Sequence, residues 1–169
     1  HALIAAFGGD TVAATCAFRD AMPEDVRVIS LVDFDNDRVG GSLDVARALG
    51  ARLWGVRLDT SGDLVDESLS AEMGDFDPRG VNPRLVDRVR GALDAEGFEH
   101  VKIVVSGGFS VEKIRFFEKS GVPVDSYGVG SALVRGNFDY TADVVCLEGE
   151  PLAKVGRWYR RNDRLELVT

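Results

Sequence analysis

Cysteine is almost absent from this sequence: Cys16 and Cys146 are the two it has. Neither takes part in a CxxC pair or any other metal-ligand spacing, and both lie in apolar contexts. Both are expected to be small buried side chains in a reducing cytosol. No apolar run approaches the length of a membrane span, and no signal peptide is visible, so the expected location is cytoplasmic. Positive charge is short as well. Twenty lysines and arginines face 28 acids, for a net charge of -8 and a pI near 4.8. Such a surface repels nucleic acid and anionic lipid, so an anionic ligand needs a local site that works against the global field. Histidine occurs twice. His100 lies in a polar loop and reads as a surface residue; His1 opens the chain and has no upstream context. With no initiator methionine before "HALIAAF", the sequence is expected to be cut from something longer. There is no internal repeat, low-complexity tract or interdomain linker, and 169 residues are expected to form a single domain.

What is present is a regular alternation of strand and helix signals. Helix patterns cover 10–23, with Asp10 as cap and Pro23 as stop, and 33–50, which ends on Gly50. Two more cover 82–97, opened by Asn82-Pro83, and 110–121, from Ser110 to Gly121. Strand-length apolar runs cover 26–32, 51–58, 101–105 and 124–129, with further strands expected over 142–149 and 152–159. These runs are continuously apolar, which predicts parallel βαβ units with both faces of the sheet covered. Acidic or glycine signals fall at the C-terminal ends of strands, at Asp33, Asp59, Ser106 and Gly128, where a barrel builds its site. The connection 60–81 holds Asp63, Asp66, Glu67, Glu72, Asp75 and Asp77, read as a solvated face.

Two stretches carry the chemistry. "VVSGGFSVEKI" (104–114) leaves a strand through Ser106-Gly107-Gly108 and enters a helix at once, and Gly128-Val129-Gly130-Ser131 follows the next strand. Glycine lets backbone amides approach an oxyanion, and a helix N-terminus adds oriented donors. The pair reads as one phosphate cradle, against the plainer alternative of two tight turns without a ligand. In "GVRLDTSGD" (55–63), Arg57 and Asp59 share one strand face. They could form a buried ion pair, or line a polar cavity in which Arg57 grips a carboxylate or phosphate and Asp59 takes ribose hydroxyls or a divalent cation. In "LVDFDND" (31–37), Asp33 is the site candidate, while Asp35 and Asp37 suit a helix-capping turn.

Taken in order, "HALI", "LVDFDND", "GVRLDTSGD", "HVKIVVSGGFSVEKI", "PVDSYGVGS", "DYTADVV" and "PLAKVGR" resemble the C-terminal portion of bacterial nicotinate phosphoribosyltransferase. The resemblance implies an irregular α/β barrel of the type II phosphoribosyltransferase kind with mostly parallel strands. It implies synthesis of nicotinate mononucleotide and pyrophosphate from nicotinate and phosphoribosyl pyrophosphate, coupled to ATP through a phosphohistidine, with Mg²⁺ as cofactor. It places the 5′-phosphate on Ser106, Gly107, Gly108, Gly128, Gly130 and Ser131, the pyridine carboxylate near Arg57, and ribose and metal near Asp33 and Asp59. His1 falls on the family's phosphorylated histidine. A homodimer, and an N-terminal domain or partner chain that completes the site, are also implied. The alternatives are nicotinamide or quinolinate phosphoribosyltransferase, or a truncated phosphate- or nucleotide-binding module without catalysis.

Overall fold

The computed structural model describes residues 1–72, 74, 76–134 and 142–164. The chain forms two compact units, His1–Arg135 and Gly136–Thr169.

The first unit holds four parallel strands, β1 (Val28–Leu31), β2 (Leu53–Leu58), β3 (Lys102–Val105) and β4 (Ser126–Tyr127), in the order β1-β2-β3-β4. Short helix α1 (Ala2–Ala6) and α2 (Thr11–Ala21) precede β1. The three crossovers carry α3 (Arg38–Leu49), α4 (Pro83–Ala95) and α5 (Val111–Ser120), and α6 (Ser131–Val134) follows β4. Crossovers that all step in one direction with one hand place their helices on the same side of the sheet. The helix boundaries follow the punctuation in the sequence. Asp10, Asp37, Asn82 and Ser110 each accept a backbone N–H at a helix start, and Pro83 takes the first turn of α4.

The helices cover one sheet face only. Val28, Val56, Leu58, Ile103 and Val105 point into a core completed by Val45, Leu85, Val89, Leu93, Phe109 and Phe117. The other face carries Ile29, 40% exposed, and Arg57, also exposed, so the expectation that both faces are covered does not hold for the described residues. A continuously apolar strand has side chains for two covered faces. Here α2 to α5 supply one cover, and the facing row is left open.

Residues 60–81 are a solvated face only in part. Asp66 and Leu69 are fully buried, a 3₁₀ turn spans Glu67–Glu72, and Val65 bridges Arg79. Asp66 pairs with the buried guanidinium of Arg38 (Nη1–Oδ2 3.3 Å) and also accepts the Arg38 backbone N–H at 3.0 Å. Glu72 pairs with Arg84 and Arg88. A lone buried carboxylate costs several kcal/mol, and this partner offsets that cost. An acid count alone could not locate the partner. Asp63, Glu67 and Asp77 are exposed and fit the solvated reading, and Asp75 lies outside the described residues.

In the second unit, the strands expected over 142–149 and 152–159 reduce to a ribbon of β5 (Cys146–Leu147) and β6 (Glu150–Pro151). Glu148 and Gly149 both take positive φ, as a two-residue hairpin turn demands, so the two runs pair antiparallel around that turn. Cys146 is exposed and Cys16 half-buried, against the expectation that both are buried. The part of "DYTADVV" before residue 142 lies outside the described residues.

Candidate functional site

Register decides which residues meet. Leu31, Arg57, Val104 and Ser126 lie abreast across the sheet, on the open face. Side chains repeat every second residue, so the next row on that face is Asp33, Asp59, Ser106 and Gly128. The ladder continues far enough to hold it: Val32 N–H donates to Arg57 O, Ser106 N–H to Leu58 O and Gly128 N–H to Val105 O. Three polar positions and the start of the second glycine turn thus form one row at the C-terminal ends of the strands.

Within the row, Arg57 Nε donates to Ser106 Oγ at 2.8 Å, Ser106 Oγ–H donates to Asp59 Oδ1 at 2.7 Å, and Arg57 Nη2 reaches Asp59 Oδ2 at 3.0 Å. Of the two alternatives for Arg57 and Asp59, the pairing is present but not buried, since the Arg57 side chain is 45% exposed. They form an ion pair, and the pair lines a cavity of about 620 Å³. The same cavity is lined by Ser106, Gly107 and Gly108 of the first turn and by Gly128, Gly130 and Ser131 of the second, with Ile29, Leu31, Val104 and Val129 as its apolar wall. Among the described residues, the N–H groups of Gly107, Gly108, Val129 and Gly130 have no protein acceptor. Unpaired donors on two turns that line one concavity suit an anion, since orphan amides are costly unless something accepts from them.

Two glycines are required by the geometry. Gly107 has φ +91°, and a Cβ there would lie 3.1 Å from Thr60 O. A Cβ on Gly128 would lie 2.9 Å from the Ser106 Cβ. The first turn thus packs on the end of β2 and the second on the first.

His1 and Asp33 stand next to this cavity but do not line it. The His1 ring Nε2 is hydrogen-bonded to Asp33 Oδ1 at 2.9 Å. His1 lines a separate, mostly apolar cleft of about 150 Å³ with Leu3, Ile4 and Phe18, and the two cavities share Ile29 and Leu31 as a wall. Burial pushes the Asp33 carboxyl above the usual carboxylate range, opposed by the Arg38 charge and reinforced by that of Asp59. His100 is exposed, as expected. For a divalent cation the donors are few. No group of three or more metal-ligating side chains occurs among the described residues, and both Asp59 oxygens already accept hydrogen bonds. Asp33 and Asp59 fit Mg²⁺ only in its usual manner, with one or two carboxylates and the rest of the shell from phosphate and water.

Sequence reasoning missed Arg38 and Lys113. Arg38 and Asp66 clip the 60–81 segment to the loop carrying Asp33, since Asn36 also donates to Val65 O at 2.7 Å. Lys113 left a signal: a lysine in the first turn of α5 opposes the helix dipole and asks for a local reason.

The parallel sheet, together with the likeness to a solved structure, shows an α/β fold of the phosphoribosyltransferase kind with mostly parallel strands. The chain superposes on the crystal structure of nicotinate-nucleotide pyrophosphorylase from Pyrococcus furiosus with a TM-score of 0.65 and 36% identity, covering 95% of this chain and 37% of that one. It is also 35% identical over 125 residues to nicotinate phosphoribosyltransferase pncB1 of Mycobacterium tuberculosis, in two strains. That match takes in 70% of this chain and 22% of the relative, so the chain spans about a fifth of the curated proteins it matches. No family profile matches the chain. The resemblance to nicotinate phosphoribosyltransferase carried by the motifs is borne out by these likenesses. Among the described residues, no helix is long and apolar enough to cross a membrane.

Proposed function

We propose that the protein is a nicotinate phosphoribosyltransferase, which joins nicotinate to the ribosyl carbon of phosphoribosyl pyrophosphate and releases pyrophosphate. The observation that carries this reading is the convergence of both glycine turns, with unpaired amides, on the cavity lined by Arg57 and Asp59. The likenesses to a nicotinate phosphoribosyltransferase and a nicotinate-nucleotide pyrophosphorylase support that chemistry.

In this reading the amides of Gly107, Gly108 and Gly130, with Ser106 and Ser131, hold the 5′-phosphate. Arg57 presents its planar fork to the nicotinate carboxylate. Asp59 orients the ribose hydroxyls. The pyridine nitrogen already has its lone pair, so no strong base is needed. It attacks the anomeric carbon as the bond to pyrophosphate breaks, through a transition state with oxocarbenium character. The protein's contribution is orientation and electrostatics. Mg²⁺, held by Asp33, Asp59 and the substrate's own oxygens, would supply neutralisation of the departing pyrophosphate.

His1 takes the ATP-coupled step. His1 Nε2 and Asp33 Oδ1 lie 2.9 Å apart; in the tautomer in which Nε2–H donates to this carboxylate, Nδ1 keeps the free lone pair. Nδ1 accepts the γ-phosphoryl group, ADP departs, and the phosphohistidine is hydrolysed during turnover. An N-terminal domain or partner chain, with homodimerisation, covers the open sheet face. Incubation of the protein, together with the N-terminal domain or partner chain that completes the site, with nicotinate, phosphoribosyl pyrophosphate, Mg²⁺ and ATP should give nicotinate mononucleotide, at a rate that falls without ATP. His1→Ala should abolish acid-labile phosphate uptake. No product with nicotinate, but product with nicotinamide or quinolinate, would overturn the substrate assignment. Phosphate binding without any turnover would reduce the protein to a binding module.

A further inference from the structure

Lys113 lies on the first turn of α5, behind the Ser106-Gly107-Gly108 turn, and does not line the cavity. Its Nζ donates to Gly107 O at 3.1 Å and sits 4.4 Å from the centre of the Phe109 ring. Phe109 is 1% exposed and packs edge-on against Phe117 at 5.0 Å, so the platform under the ammonium is fixed by the core. Among the described residues Lys113 forms no ion pair, and burial pushes its pKa below the usual lysine value. A half-buried ammonium without a carboxylate is costly, and it sits where the helix dipole opposes it.

The peptide plane explains the placement. In a trans peptide the carbonyl of one residue and the N–H of the next point in opposite directions. The Gly107 carbonyl points at Lys113, so the Gly108 N–H points away from Lys113, which does not itself line the cavity. The 107–108 peptide has glycine on both sides, with φ of +91° and +68°. Nothing steric in its own side chains prevents it from flipping. A flip would aim a carbonyl oxygen at the anion and remove a donor.

We propose that Lys113 is a positioning residue that latches the Gly107–Gly108 peptide in its donor-inward orientation and so keeps the cradle competent for a phosphate. The latch rests on the phosphate-cradle reading of the two turns, and the partner of the cradle is a phosphate group, whether free or on a sugar. The ammonium acts through the carbonyl without touching the phosphate, and its charge adds a favourable field behind the turn.

Titration of the protein with inorganic phosphate, followed by ¹H–¹⁵N spectra, tests it. In the wild type the Gly107, Gly108 and Gly130 amides should shift together on binding. Lys113→Met should weaken phosphate binding by roughly tenfold or more while the unfolding midpoint stays near that of the wild type, and Lys113→Arg, which keeps a cationic donor, should recover most of the affinity. Unchanged affinity in Lys113→Met overturns the latch. So does equal loss in the Met and Arg variants, which would mean that only packing changed. Should Lys113→Met not fold, the wild type alone still decides: phosphate that shifts Val129 and Gly130 but leaves Gly108 unmoved refutes the inward N–H. If no amide of either turn responds to phosphate, the cradle itself fails, and the latch with it.

Discussion

Gly128→Ala isolates the contact between the two turns. The φ of Gly128 is not in the left-handed region, so an alanine meets no backbone strain there; the cost is steric alone. Its Cβ would lie 2.9 Å from the Ser106 Cβ and 3.5 Å from Val105 O. Ser106 cannot give way cheaply. It is 4% exposed, its hydroxyl is held by Arg57 and Asp59, and its N–H is tied to Leu58 O at 2.9 Å. Relief requires the two turns to part by roughly 0.5–1 Å. Overpacking of this kind costs about 1–3 kcal/mol, or roughly 2–12 °C in the unfolding midpoint for a chain of this size. The functional loss should be larger in proportion, because a shift of about 1 Å in a positioning group can cost on the order of a hundredfold. Gly130→Ala is the control. Nothing lies within 4 Å of its Cβ and its φ is ordinary, so its stability should change by less than about 0.5 kcal/mol. The assay pairs thermal unfolding with the KM for phosphoribosyl pyrophosphate. If Gly128→Ala binds it as well as the wild type despite a lowered midpoint, the two turns do not share one phosphate.

Further outcomes follow from other contacts. Arg57→Ala should raise the nicotinate KM by roughly 10–100-fold, with little loss of stability because the Arg57 side chain is 45% exposed; a KM that stays put would show that the guanidinium serves only Asp59 and Ser106. Asp66→Ala strands the buried Arg38 charge and should cost about 3–5 kcal/mol in chemical denaturation, and a loss under 1 kcal/mol would mean that water reaches the guanidinium. The Asp33 carboxyl is raised in the fold, so its contribution to stability is present below its unfolded pKa and is lost as pH rises through the folded value. Asp33→Asn should therefore lack that part of the stability decline as pH rises above the unfolded aspartate value of about 3.9, which urea titrations at several pH values would read out. The Tyr127 hydroxyl is pushed up to about 12 by burial and by its hydrogen bond to Glu118. Tyr127→Phe should accordingly remove a loss of stability that the wild type shows as pH rises from about 10 toward that value, and spectrophotometric titration should find a late-ionising tyrosine in the wild type alone.

Local physics carried much of this protein by sequence alone. The caps Asp10, Asn82 and Ser110, the stops Gly50 and Gly121 and the apolar runs of β1 to β3 depend on residues within a turn of one another, so pattern reading placed them. The same holds for Arg57 and Asp59 on one strand face and for glycine at both turns. Tertiary structure decided what depends on register and on distant partners. It alone brought Asp33, Asp59, Ser106 and Gly128 into one row, because a ladder shifted by one residue would have turned each side chain to the other face. It buried Asp66 against Arg38 across 28 residues of sequence, left one face of an apolar sheet open and exposed Cys146. It also set Lys113 behind the Gly107 carbonyl, since the direction of a peptide plane is fixed by what packs around it and leaves no mark in composition or period.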